Sequence, residues 1–159
     1  MSSRYEDINA DLKGLVFDFF YWFSRFEFAL KETETFSKKG KYGNVEPDWD
    51  AFQEKYKDVY SSSAALRALL EDPPKQERYL DKMSSRWEPV TFKSRDKEIH
   101  KAVRLVKTIR NNLFHGGKSS KTGWDDPERI RFLLPRALEI LHSLAELDSN
   151  VYAHFSHAY

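Results

Sequence analysis

The residues best suited to chemistry in this chain lie close together: Arg110, Asn111 and His115. Arginine keeps its proton, and its planar fork of N–H donors matches the oxygens of a phosphate group. The imidazole of histidine titrates near neutral pH, so it can accept or donate a proton. The Asn111 amide can orient that imidazole or hold a phosphate oxygen. Together these side chains suit proton transfer beside a phosphate.

The pattern of apolar residues predicts a helix over residues 95–114 that positions this group at its end. At about 100° per residue, one continuous half of this helix is apolar. This half carries Ile99, Ala102, Val103, Leu105, Val106, Ile109, Leu113 and Phe114. Arg110 is predicted in the middle of that half, where a charge loses hydration and needs a partner or a function.

Beside that half, Arg104, Lys107, Asn111 and His115 share the flank, so the last turn presents an arginine, an amide and an imidazole together. The pair Gly116-Gly117 is predicted to stop the helix. It also leaves open backbone that a large ligand can approach.

The first half of the chain predicts a long aromatic helix followed by shorter elements. The helix over residues 7–36 is apolar on more than one side, so its second side is predicted to form a subunit interface. Residues 37–47 are predicted as a loop. Shorter helices are expected after the N-cap Asp48, over residues 64–70 and over residues 75–87.

The second half predicts a leucine-rich terminal helix that begins at Asp126-Pro127. Pro135 lies inside this helix and is expected to kink or split it. The aromatic tail, residues 150–159, is expected to dock on the body. Residues 1–159 are therefore predicted to form a single all-α domain, a small up-and-down bundle of about five helices with short extra helices in the middle.

Composition narrows the function classes. The 26 Lys and Arg residues nearly balance 25 Asp and Glu residues, so any contact with nucleic acid must come from a local basic patch. Without cysteine, disulfides and thiolate metal sites are excluded, and a reducing cytoplasm is expected. His154 and His157 have no third ligand nearby, so no metal is expected, and no cofactor or membrane span is predicted either.

The segment from Arg110 to His115 resembles the Arg-polar-x-x-x-His motif of the HEPN superfamily (higher eukaryotes and prokaryotes nucleotide-binding domain). In that family the motif lies at the end of a helix in a small helical bundle. Asn111 occupies the polar position, and the following Gly-Gly, polar loop and leucine-rich helix fit the family layout. The aromatic first helix, with Phe26-Glu27-Phe28-Ala29-Leu30-Lys31, resembles bacterial members.

The resemblance implies a homodimer in which two motifs face each other. Many members are metal-independent endoribonucleases, often toxins or phage-defence effectors. By this resemblance His115 is the general acid or base, Arg110 stabilises the phosphate and Asn111 supports them. Lys107, Arg104 and Lys118 are predicted to line the path of a single-stranded RNA substrate, although a solvated charged face is the favoured structural interpretation of this cluster. A cognate antitoxin or nucleotidyltransferase is an expected partner.

Structural interpretations of the same residues remain open. Arg110 can serve as an internal ion-pair partner of Glu27 or Asp18, and His115 can interact with the helix dipole. Taken singly, each structural interpretation is favoured, whereas the combination of the residues favours function. A non-catalytic HEPN-like module that binds a nucleotide or a protein is the alternative function, and a helical scaffold is a third.

Overall fold

The computed structural model describes residues 9–115 and 126–157, which form six α-helices, a short 3-10 turn and two β-hairpins. The elements, in chain order, are α1 (Ala10–Glu32), the 3-10 turn (Glu34–Phe36), β1 (Ser37–Lys39), β2 (Val45–Pro47), α2 (Trp49–Tyr56), α3 (Ala64–Glu71), β3 (Lys75–Asp81), β4 (Ser84–Pro89), α4 (Glu98–His115), α5 (Pro127–Ala145) and α6 (Ser149–Ser156). The mostly helical prediction is confirmed, but the purely all-α prediction is wrong. None of the described helices is long and apolar enough to pass through a bilayer.

Helix α1 begins where Asn9 accepts a hydrogen bond from the backbone N–H of Asp11, at 2.7 Å. Its buried stripe includes Phe19, Phe23 and Phe26 at helical spacing. Against this stripe, the Phe26 ring stacks on Trp49 of α2 with centroids 4.9 Å apart. The helix ends at Glu32, before the predicted boundary, and the 3-10 turn takes over residues 34–36.

The second apolar side of α1 is partly covered by the end of the same chain. The Trp22 ring lies 4.9 Å from the rings of His142 on α5 and Phe155 on α6. Val151 and Phe155 are fully buried, which confirms that the tail docks. Phe17 remains 69% exposed, so only part of this side is left for another subunit.

Helix α5 contacts α1, α3, α4 and α6. Asp126 caps its start by accepting a hydrogen bond from the N–H of Arg129 at 3.0 Å, as predicted. Pro135 does not split α5, because the helix continues to Ala145, and the predicted kink at this proline stays a prediction. Pro135 and Arg131, four residues earlier, both face solvent, so water can satisfy the carbonyl that proline leaves without an N–H partner.

Two segments predicted without strands form antiparallel hairpins. Strands β1 and β2 pair within the predicted loop. Strands β3 and β4 replace the short helix that was predicted over residues 75–87. Tyr79, Leu80 and Met83 had the spacing of a helical stripe, but all three are exposed, so no core contact selects a helix. Pro73-Pro74 and Pro89 bracket the hairpin and disfavour helix at both ends.

Candidate functional site

Arg110 lies at the edge of the core, one turn before the end of α4. Its guanidinium carbon is 4.8 Å from the centroid of the Phe114 ring and 5.9 Å from that of Phe23 on α1. Its Nη1 donates a hydrogen bond to Oδ1 of Asn111 at 3.1 Å. Within the described ranges, no carboxylate forms an ion pair with this guanidinium. The arginine therefore keeps donors available on a half-buried, aromatic-lined surface.

The prediction that Arg110 occupies the middle of the core face places this residue too deep. Phe114, predicted to share that face, is 63% exposed, whereas Val103 on the same side of α4 is buried. This side of the helix is thus progressively uncovered towards its end. The apolar spacing gave the correct helix face but could not show where its covering elements stop.

Arg110 and Asn111 line an open cavity of about 450 Å³, which we call the motif cavity. It lies between α4, α1, α2 and the β1–β2 hairpin. Its walls consist of Phe23, Glu27, Lys38, Glu46, Pro47, Trp49, Asp50, Lys107, Arg110 and Asn111. Three of these side chains are cationic and three are carboxylates, so cations and anions face each other across a small opening.

Lys107 is a partly buried cation of the motif cavity. Its Nζ lies 4.7 Å from the centroid of the Trp49 indole. Burial lowers the pKa of Lys107 below the usual lysine value, while the nearby charges of Glu27 and Asp50 act in the opposite direction. An ammonium that has lost water in this way gains more than an exposed one when an anion binds.

Glu27, predicted as a structural partner of Arg110, lines the same cavity. Its Oε2 accepts a hydrogen bond from the indole Nε1 of Trp49 at 3.0 Å. No direct hydrogen bond joins Glu27 to Arg110 in the part of the chain that the structure describes. The carboxylate therefore fixes Trp49 and supplies negative charge near Lys107.

Arg104 lies outside the motif cavity, on the side of α4 that faces the second hairpin. Its Nη2 is 3.5 Å from Oε1 of Gln76 on β3, and its guanidinium carbon is 5.8 Å from the Phe92 ring centroid. One turn before the helix end, Asn112 donates a hydrogen bond to the carbonyl of Lys75 at 2.7 Å. The polar side of α4 therefore runs between the two hairpins.

His115 closes α4, about 7.5 Å along the axis from Arg110 at 1.5 Å per residue. Its side chain lies outside the described part of the structure, so the predicted approach of the imidazole to Arg110 stays a prediction. Lys118 and the glycine stop at residues 116–117 also lie outside the described ranges. Of the predicted site residues, the structure brings Lys107, Arg110 and Asn111 together and places Arg104 apart.

The sequence did not single out the residues that complete the motif cavity. Lys38 and Glu46 come from the segment predicted as a loop, and Asp50 from the first turn of α2. The pairing of β1 with β2 places Lys38 and Glu46 in the motif cavity with α4, and no local sequence pattern shows this long-range contact.

Among the described residues, no group of three or more His, Cys, Asp or Glu side chains has the arrangement of a metal site. No protein-family model, curated protein or solved structure matches this chain.

Proposed function

We propose that this protein is a metal-independent endoribonuclease that cleaves single-stranded RNA at a site formed by Arg110, Asn111 and His115. The observation that supports the proposal is the environment of the Arg110 guanidinium. The guanidinium lies at the rim of an open cavity, packed against two aromatic rings, and forms no direct ion pair with a carboxylate among the described residues. A half-buried guanidinium without an anionic partner is suited to bind an anion.

The reaction that fits these residues is an attack by the ribose 2′-hydroxyl on the adjacent phosphate. A base removes the hydroxyl proton, O2′ bonds to phosphorus, and the bond from phosphorus to O5′ breaks. An acid gives a proton to the departing O5′, leaving a 2′,3′-cyclic phosphate and a free 5′-hydroxyl. Histidine can serve in both proton transfers, and the fork of Arg110 stabilises the charge that builds on the phosphate oxygens.

A homodimer would supply a second His115 to share the two proton transfers. Phe114, which contacts the guanidinium of Arg110, is 63% exposed, and Phe17 is 69% exposed. Exposed aromatic rings beside a polar site are common in subunit interfaces. A contact through Phe114 would bring two motif segments (residues 110–115) close to each other. In a toxin system, a cognate antitoxin or nucleotidyltransferase would compete for the same surface.

The test is to incubate the purified protein with single-stranded RNA in the presence of a chelator. Cleavage that yields 2′,3′-cyclic phosphate ends is expected, and His115→Ala should reduce the rate at least about 100-fold, in line with the loss of a general acid or base. His100→Ala is the matched control, since it removes a histidine from the other end of the same helix. Equal rates for the wild type and His115→Ala would contradict the proposal.

A binding module without catalysis is the second candidate function. The balanced charges of the motif cavity favour it, because cations can bind a phosphate while carboxylates accept hydrogen bonds from a base. This function predicts nucleotide binding that His115→Ala leaves unchanged and that Arg110→Ala weakens, with intact RNA after incubation.

A further inference from the structure

The β3–β4 hairpin carries an arrangement of arginines that the motif cavity does not include. In the antiparallel register, Gln76 lies opposite Glu88 and Arg78 lies opposite Arg86. Directly opposed residues point to the same side of a two-stranded sheet, so these four side chains share one face. We call it the arginine face. Tyr79, the next residue along β3, belongs to the other face.

Both arginines of this face are held by one carboxylate. Arg78 donates through Nε to Oε1 of Glu88 at 2.8 Å, and Nε of Arg86 lies 3.0 Å from Oε2. The arginine side chains are 51% and 65% exposed, and their Nη groups make no hydrogen bond to any described residue. Two guanidiniums are therefore kept side by side with one net positive charge and with outward donors available.

The arrangement of Arg78, Arg86 and Glu88 is better suited to binding a phosphodiester than to stabilising the fold. Exposed ion pairs contribute little to the free energy of folding, so the cluster has small value as a structural clamp. Guanidinium forks bind phosphate oxygens with paired, charge-assisted hydrogen bonds. The single carboxylate reduces the repulsion between the two arginines and fixes their orientation before a phosphate arrives.

The arginine face is continuous with the polar side of α4. Gln76 contacts Arg104, and Lys75 at the base of the hairpin accepts a hydrogen bond from Asn112. Arg104 lies six residues before Arg110, about 9 Å along the helix axis. Arg104, Lys107 and Arg110 follow one another around α4 at three-residue intervals, so cations connect the side of the helix that faces the hairpin with the motif cavity.

We propose that the β3–β4 hairpin is an RNA-binding arm, and that Arg78 and Arg86 bind the phosphodiester backbone of the strand whose cleaved phosphate lies at Arg110. This inference rests on the proposed function and names how its substrate is held. It predicts that long RNA strands contact both the arm and the motif segment, whereas a dinucleotide reaches only the latter.

The test measures the binding of a 2′-O-methyl RNA oligonucleotide, which cannot undergo 2′-hydroxyl attack, by fluorescence anisotropy. Arg78→Gln with Arg86→Gln should weaken binding at least about tenfold, as expected for lost charge-assisted hydrogen bonds. The slope of log affinity against log salt should fall by about 1.4, the value for two phosphate contacts on a single strand. Cleavage of a dinucleotide should be unchanged.

Three controls separate this role from a general effect of charge or folding. Lys31→Ala with Lys57→Ala removes two cations outside the hairpin and α4, and should leave affinity near that of the wild type. Tyr79→Ala alters the opposite face and should do the same. Glu88→Gln loses the fixed orientation of both arginines but adds one net positive charge, so binding should stay near that of the wild type. A loss with Glu88→Gln as large as that of the double arginine variant would overturn the arm, because it would indicate a structural ion pair.

The experiments give different results if the RNA-binding role of the hairpin is wrong and if the nuclease activity is wrong. Binding that depends on Arg78 and Arg86 without any cleavage would retain the arm and reject the nuclease. Cleavage that depends on His115, with equal RNA affinity for the wild type and the double arginine variant, would do the reverse. The hairpin tip exposes the apolar side chains of Leu80 and Met83 near the arginines, which is also a surface that an anionic membrane could bind. Binding to vesicles that contain phosphatidylserine is therefore measured alongside binding to RNA. Hairpin-dependent binding to vesicles and not to RNA would overturn the proposal.

Discussion

At the scale of single residues, the sequence predicted which side chains are neighbours on α4 better than it predicted how deeply each is buried. The sequence correctly placed Lys107, Arg110 and Asn111 next to one another, because a helix repeats every 3.6 residues whatever surrounds it. It placed Arg110 too deep, because the exposure of Phe114 depends on where neighbouring elements end. It could not identify Glu27 as the partner of Trp49, since 22 residues separate them and only packing brings them together.

Asp148 is a residue whose charge should stabilise the fold in a pH-dependent way. Its carboxylate accepts hydrogen bonds from the hydroxyl of Tyr56 at 2.6 Å and from the N–H groups of Asn150 and Val151. Burial alone would raise the pKa of Asp148, but these hydrogen bonds and the charge of Lys55 outweigh it and hold the pKa below its ordinary value. The ionised form is thus favoured more in the folded chain than in the unfolded chain.

We therefore expect Asp148→Ala to lower the free energy of unfolding by about 1–2 kcal/mol at pH 7, the usual effect of losing a helix cap. A depressed folded-state pKa stabilises the protein above the unfolded pKa, and this stabilisation is lost as the pH falls through the folded pKa. The difference between the wild type and the variant should shrink at about pH 3. Urea denaturation at both pH values measures it.

Tyr56→Phe serves as the matched comparison, because it removes one of the hydrogen bonds to Asp148 and leaves the cap of α6 intact. It should lower the free energy of unfolding by about 1 kcal/mol. A difference between the wild type and Asp148→Ala that is equally large at both pH values would show that the charge of Asp148 has no special role.

At the scale of elements, the boundaries with capping residues were predicted well and the hairpins were not. Asp48 and Asp126 each accept a backbone hydrogen bond at the start of the helix predicted to follow them. The β3–β4 hairpin has no alternation of apolar and polar residues, since neither face is buried in the core. Its turn also lacks glycine, the usual signal, and Met83 adopts a positive φ of 69° instead.

The sequence did not reveal a long-range contact between Arg25 and the end of helix α6. Arg25 on α1 donates hydrogen bonds to the carbonyls of Phe155, His157 and His154. These carbonyls lie at the end of the helix, where the partial charge of the dipole is negative and unpaired acceptors remain. A cation on a neighbouring helix thereby holds the end of α6.

Arg25→Met should loosen α6 while preserving much of the apolar contact of the side-chain stem. The melting temperature is expected to fall by about 3–10 °C, from the loss of charge-assisted hydrogen bonds in a chain of this length. Amide hydrogen exchange should accelerate across α6 and not across α3. Ser24→Ala, at the neighbouring exposed position, should leave both measurements unchanged, and equal exchange in the two variants would refute the role of Arg25.

At the scale of the whole molecule, the arrangement of surfaces suggests how chains would associate. Helix α6 covers part of the second side of α1, so the interface predicted from the α1 sequence must be smaller than its aromatic content implied. The apolar rings that stay exposed near the motif segment, above all Phe114, are the best candidates for a contact between two chains.

Phe114→Asp is therefore expected to convert the proposed homodimer into a monomer with only a small fall in melting temperature, because the ring is 63% exposed and its contact with the Arg110 guanidinium is a surface one. Analytical ultracentrifugation measures the mass directly. Val59→Asp is the control, since Val59 is 67% exposed and lies in the connection between α2 and α3. A wild-type protein that stays monomeric at all concentrations would rule out a shared site.

The hydrogen bond from Asn112 to Lys75 has a consequence for how the proposed arm and the motif segment act together. Asn112 belongs to the motif segment, and its amide fixes the first residue of the hairpin. The arm and the motif segment would then hold an RNA strand at two points a constant distance apart. The protein would therefore cleave RNA at a fixed number of nucleotides from the phosphates bound by the arm, whatever the base sequence at the cleavage position.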